Sequence, residues 1–103
     1  MRVILVANPK GGSGKTTLST NLAGYLASKG ERVAMLDLDR QKSATHWLAM
    51  RDMALPDIEL LREGQKQDSD WLVIDSPAGL HGKNLERALK LAHKVVVPIA
   101  PSI

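Results

Sequence analysis

The sequence predicts an α/β fold in three layers, a parallel sheet with helices on both of its faces. Two observations predict it. Short apolar runs recur along the chain as VILVA (3–7), which is continuous and rich in β-branched residues, RVAMLDLD (32–39), which runs into two carboxylates, and WLVID (71–75), the pattern of strands buried on both faces. Segments with the apolar spacing of helices alternate with these runs, and such alternation implies right-handed crossovers between parallel strands.

Residues 3–7 make the first strand. The glycine-rich stretch NPKGGSGKTT (8–17) follows and opens a helix whose apolar face is read as Leu18, Leu22, Tyr25 and Leu26, with Ala23 and Ala27 between. Lys29 and Gly30 end that helix, a cation in the last turn and a glycine as C-cap. The second strand, 32–39, runs into Asp37 and Asp39. Residues 43–53, SATHWLAMRDM, read as a helix with Ser43 as N-cap, and Pro56 breaks it. Residues 58–61 make a short strand and 62–70 a polar loop. The strand 71–75 ends in Asp75. Leu85, Ala88, Leu89 and Ala92 give helical spacing to 83–92, and KVVVPIA (94–100) is a further strand. The order is β-α-β-α-(β)-β-α-β within one domain, 1–103. The chain stops straight after a strand, so a truncated or unusually small member of a larger fold, incomplete at its C-terminus, is expected.

Composition narrows the chemistry. With 103 residues, 44% of them apolar, the chain can bury one real core. Phe is absent, so that core is built from Leu, Val, Ile, Ala and Met. The net charge of +3 is a mild basic bias that a bound nucleotide explains as well as nucleic acid does. There is no cysteine, which excludes disulfides, thiolate metal sites, iron–sulfur clusters and cysteine nucleophiles. No signal-peptide pattern opens the chain, and no apolar run approaches the ~20 residues of a membrane span. A cytoplasmic protein is expected.

The chemistry concentrates in NPKGGSGKTT (8–17), between a buried strand and a helix. Glycines let successive N–H groups curl inward onto phosphate oxygens, and the helix N-terminus adds partial positive charge. In such a loop Gly11, Gly12, Ser13, Gly14 and Thr17 cradle phosphate and Lys15 bridges the β- and γ-phosphates. The Thr16 hydroxyl ligates Mg²⁺, which takes oxygen ligands and substrate phosphates. Pro9 stands where the pattern G-x-x-x-x-G-K-[ST] has its first Gly, and Lys10 is an additional cation. A strand ending in Asp75 is by itself equally a surface carboxylate; beside a phosphate loop it is placed to hold Mg²⁺ through water. Asp37 and Asp39 are expected on opposite sides of their strand, one toward the metal and one toward an attacking water, with a plain capping or salt-bridging role open for either. His46, His81 and His93 lack metal-ligand spacing and read as structural or surface residues. Trp47 reads as a packing residue, Trp71 as core or sheet edge, and Lys90 and Lys94 as solvated.

KGGSGKTT (10–17) resembles the deviant Walker A motif of the ParA/MinD family of ATPases, K-G-G-x-G-K-[ST]. DLDRQKSAT (37–45) is similar to that family's D-x-D-P-Q-x-x-x-T, and LVIDSPAG (72–79) to its Walker B segment. The resemblance covers most of the chain and is nearest to small ParA-type partition proteins without an N-terminal DNA-binding domain. It implies a P-loop NTPase fold in which a replaced first glycine is common. It further implies that Lys10 reaches across an ATP-bound homodimer to the partner's phosphates, as an arginine finger does. Lys15 and Thr16 would bind phosphate and Mg²⁺, Asp39 would position or activate the attacking water, Asp75 would support the metal, and Asp37 would be a second metal-site carboxylate. Arg40 departs from the family's proline. Family members run to roughly twice this length, so adenine-contacting and DNA-binding residues are expected beyond 103.

The function implied is a Mg-ATP hydrolase that dimerises on ATP and segregates or positions plasmid or chromosomal DNA, or another cargo such as a microcompartment. Non-specific DNA and a ParB-like stimulating protein would be its partners, with no membrane contact and a nucleoid-associated location. The alternative is an ATP-dependent synthase of the dethiobiotin or cobyrinate type on the same fold, against which the D-x-D…Q…T pattern argues.

Overall fold

A computed structural model of the protein describes residues 2–7, 15–62, 65, 68–77, 83, 86, 90 and 94–96. They form β1 (Arg2–Val6), α1 (Lys15–Ser28), β2 (Val33–Asp37), α2 (Ser43–Ala49), β3 (Ile58–Leu61), β4 (Trp71–Asp75) and β5 (Lys94–Val96). The strands make one sheet in the order β3-β2-β4-β1-β5, every pairing parallel. The α/β class is the one expected. Lys83, Glu86 and Lys90 are helical and exposed, as the polar side of the expected 83–92 helix requires; the rest of that helix, and residues 97–100 of the last expected strand, lie outside the described residues.

Alternation along the strands sorts the core. Ile4 and Val6, Val33 and Met35, and Val73 point to one face and pack with Ala23 and Ala27 of α1 and Ala44 of α2. Small residues on the helices let them lie close to the sheet. The other face carries Val3, Leu5 and Ala34, which are also buried, as a three-layer arrangement requires.

α1 differs from its expected face in one residue. Its buried stripe is Ser19, Thr20, Ala23 and Ala27, flanked by the half-buried Leu18, Leu22 and Leu26, while Tyr25 is 58% exposed. Tyr25 turns outward, and the Lys29 ammonium stands 5.4 Å from its ring centre. The buried hydroxyls are satisfied locally: Ser19 donates to the Thr16 carbonyl at 3.0 Å and Thr20 to the same carbonyl at 2.8 Å. The helix ends in a Schellman turn. Gly30 N–H donates to the Ala27 carbonyl and Glu31 N–H to that of Leu26, with Gly30 at φ 86°.

Helix α2 is shorter than expected, ending at Ala49 rather than continuing through residue 53. Asp52 explains the stop. Its carboxylate accepts from Ala54 N–H at 2.9 Å and its carbonyl from Leu55 N–H at 3.0 Å, a turn that competes with further helix. The expected cap also differs. Ser43 is the first helical residue, and the N-cap is Lys42, in the left-handed region at φ 54° and making no side-chain cap bond.

At the N-terminal edge of the sheet, β2 and β4 are clasped together. Arg32 N–H donates to the Asp70 carboxylate at 2.8 Å, Asp70 N–H returns a bond to the Arg32 carbonyl at 2.8 Å, and the guanidinium lies 3.4 Å from Asp70 and 3.5 Å from Asp68.

Candidate functional site

The register places three strand ends at one level. Val6 pairs with Asp75, and Asp75 pairs with Asp37. Asp75 shares its strand face with Val73 and Asp37 shares its own with Met35, so both carboxylates lie on the side that α1 and α2 cover. The backbone past these ends is fastened too. Leu38 N–H donates to the Asp75 carbonyl at 2.9 Å, and Ser76 donates to the Val6 carbonyl from both its N–H (3.2 Å) and its hydroxyl (2.7 Å).

α1 begins beside this edge, at Lys15. The Thr16 hydroxyl donates to Asp75 Oδ2 at 3.2 Å, although the two residues are 59 apart in sequence. Asp75 is completely buried. A carboxylate held from water needs donors or cations around it, and both this hydroxyl and the positive end of α1 answer that need. Two hard oxygen donors, one hydroxyl and one carboxylate, at a helix N-terminus fit Mg²⁺ bound together with phosphates. Among the described residues no three His, Cys, Asp or Glu side chains group as a metal cage, and Mg²⁺ taken up with phosphates needs none.

Asp37 is 5% exposed and organises the loop that follows it. Its Oδ2 accepts from Thr45 N–H at 2.8 Å and from the Thr45 hydroxyl at 2.7 Å, while Oδ1 accepts from Asp39 N–H at 3.1 Å. The Lys42 ammonium closes the loop from the other side, donating to the Asp37 carbonyl at 2.7 Å. Asp39 in turn accepts from Gln41 N–H on its carboxylate at 3.0 Å and from Lys42 N–H on its carbonyl at 3.2 Å. The expected division of Asp37 and Asp39 by strand alternation does not occur. Residues two apart on an extended strand share a face, and β2 stops at Asp37; the turn alone sets Asp39 apart. An open cavity of about 530 Å³ runs beside this loop, between Asp37, Lys42, Thr45, Leu60 and Arg62. A second, of about 460 Å³, lies at the opposite edge near Arg32 and Asp68, away from these carboxylates.

The structure therefore brings Thr16, Asp75, Asp37 and Asp39 to one edge, with Thr17 exposed in the first turn of α1. Lys10, Gly11, Gly12, Ser13 and Gly14 lie outside the described residues, as does the side chain of Lys15. Ser76 and Thr45 join this edge although their residue types alone announce no role. The sequence signal for Thr45 was its place eight residues after a strand-end aspartate. Arg40 and His46 are exposed. Trp47 is half-buried and packs under the Arg51 guanidinium, 5.3 Å from the ring centre. No helix among the described residues is long and apolar enough to cross a membrane.

The profile of the family described as "CobQ/CobB/MinD/ParA nucleotide binding domain" matches residues 4–102. The chain is 37% identical to the "Maintenance of carboxysome distribution protein A" of Gloeobacter kilaueensis, over 98% of this chain and 50% of that one. It is 34% identical to "Protein ParA" of Rhizobium radiobacter, again over 98% and 50%. It thus spans about half the length of these curated relatives. Its fold superposes on that of pNOB8 ParA bound to nonspecific DNA with a TM-score of 0.74 at 19% identity, covering 94% of this chain and 53% of the other.

Proposed function

The chain belongs to the CobQ/CobB/MinD/ParA nucleotide binding domain family, and from that premise we propose that it carries the Mg-ATP site of a ParA-like ATPase that dimerises on ATP and positions DNA. The observation that carries this reading is the bond from the Thr16 hydroxyl to the buried Asp75, which joins the end of the glycine-rich loop to the end of β4. Thr16 and Asp75 would hold Mg²⁺, which when bound neutralises charge on the β- and γ-phosphates. Gly11 to Thr17 would present backbone N–H groups to the phosphates, with Lys15 bridging them. Asp39 would orient the attacking water from the turn after β2. Lys10 would complete the partner subunit's site, so that hydrolysis needs the dimer.

DNA is favoured as cargo by the fold shared with a ParA bound to nonspecific DNA; a ParB-like protein would stimulate turnover, and the complex would reside on the nucleoid. The relative named for carboxysome distribution marks a protein microcompartment as the competing cargo.

The test is ATP binding, ATP-dependent dimerisation and hydrolysis by the whole protein, with and without DNA, for wild type, Lys15→Ala and Lys10→Ala. Lys15→Ala is expected to lose nucleotide affinity at least about 10-fold, or roughly 1.4 kcal/mol. Lys10→Ala is expected to keep affinity and lose dimerisation and turnover. Unchanged dimerisation and hydrolysis in Lys10→Ala would refute the cross-subunit mechanism, and turnover that depends on a carboxylic acid metabolite would replace it with ligase chemistry.

A further inference from the structure

The geometry points to Thr45 as a positioning residue of this site: through the Asp37 carboxylate it fixes the backbone of Asp39. The catalytic consequence rests on the role proposed above for Asp39; the clamp itself does not. Thr45 is the third residue of α2, whose own N-cap, Lys42, offers no side-chain acceptor. Asp37 takes over, accepting the Thr45 N–H at 2.8 Å as a local cap residue would. Capping needs only that bond. The second, from the Thr45 hydroxyl at 2.7 Å to the same Oδ2, is extra. It holds the carboxylate in one rotamer, with Oδ1 directed at Asp39 N–H, 3.1 Å away.

Short bonds to an ionised acceptor are the strong ones, and at 5% exposure little water competes for them. The result is a rigid link from α2, through β2, to the first turn of the loop. Lys42 secures the same loop by its bond to the Asp37 carbonyl. A group that must aim a water molecule tolerates little misplacement, since an error near 1 Å can cost about 100-fold in rate. By this assignment the Asp37 carboxylate serves the loop, and Thr45 selects which way it points.

Thr45→Val isolates the claim, because it keeps the N–H that caps α2 and deletes only the hydroxyl; Thr45→Ser restores the hydroxyl. The readouts, in the whole protein, are Mg-ATP affinity, the turnover rate and the amide hydrogen exchange of Asp39. Thr45→Val is expected to bind Mg-ATP within about twofold of wild type, to turn over at least about 10-fold more slowly, and to exchange the Asp39 amide at least about 10-fold faster. Thr45→Ser is expected to return both rates to within about threefold of wild type. Wild-type turnover and exchange in Thr45→Val overturn the proposal, and so does equal damage in Thr45→Val and Thr45→Ser. Asp39 exchange is read without turnover. The clamp therefore stands or falls on it even where an Asp39→Ala control shows the hydrolysis reading to be wrong.

Discussion

Lys42 carries two opposing contributions. Its left-handed backbone, at φ 54°, costs an L-residue roughly 1–2 kcal/mol. Its ammonium bond to the Asp37 carbonyl returns about 0.5–1.5 kcal/mol. Lys42→Gly removes both the strain and the bond, whereas Lys42→Ala removes the bond and keeps the strain. The glycine variant is therefore expected to be about 1 kcal/mol more stable than the alanine variant, read as the difference in urea midpoints at equal slope; equal midpoints would sink the strain account. Lys42 also shows why part of the site was hidden in the sequence. Thr16 and Asp75 were legible because each stands at the end of a recognisable element, and the parallel sheet brings those ends together. The spacing of Asp37 and Thr45 could be read as part of a motif, but their contact depends on a sharp turn at Lys42, a residue type that disfavours it.

Among the elements, α1 was the most legible, since its glycine stop and most of its apolar positions could be read directly. The stop can be tested alone. A methyl group at Gly30 would meet nothing within 4 Å, so its cost is purely conformational. Gly30→Ala is expected to destabilise the protein by about 1 kcal/mol in denaturant unfolding, and Gly30→Asn by less, because Asn tolerates the left-handed region. α2 was less legible, because helical spacing continued past a side-chain turn at Asp52 that wins locally. Strand order was not legible at all. Apolar runs identify which segments are strands, but not which of them are neighbours, and nothing local to residues 71–75 says that β4 lies between β1 and β2.

At the scale of the whole molecule, two pairs of carboxylates stand at opposite edges of the sheet. Asp37 and Asp75 stand at the C-terminal edge, while Asp68 and Asp70 pair with Arg32 at the other. The Arg32 backbone N–H, followed by its guanidinium, holds the Asp70 carboxyl below its ordinary range. A carboxyl depressed in the folded state binds fewer protons there than in the unfolded chain, so its contribution is complete above the unfolded value and is lost as pH falls from there through the lower folded value. Wild type is therefore expected to lose stability below about pH 4 more steeply than Asp70→Asn does. Urea unfolding at a series of pH values checks this, and parallel acid limbs would show that the clasp contributes nothing.

The place of β4 between β1 and β2 has a kinetic consequence. Those two strands have no pairing with each other, and β1 waits for partners as distant in sequence as Trp71 is from Arg2. Closing so long a loop before its contacts form makes such parallel topologies slow to fold. The insertion of β4 is also the step that delivers Asp75 to Thr16 and fastens the loop after β2 through Leu38. A chain in which β4 is not yet seated is therefore expected to hold Thr16 and Asp75 apart, so the proposed Mg-ATP site should be recovered no earlier than that strand is in place.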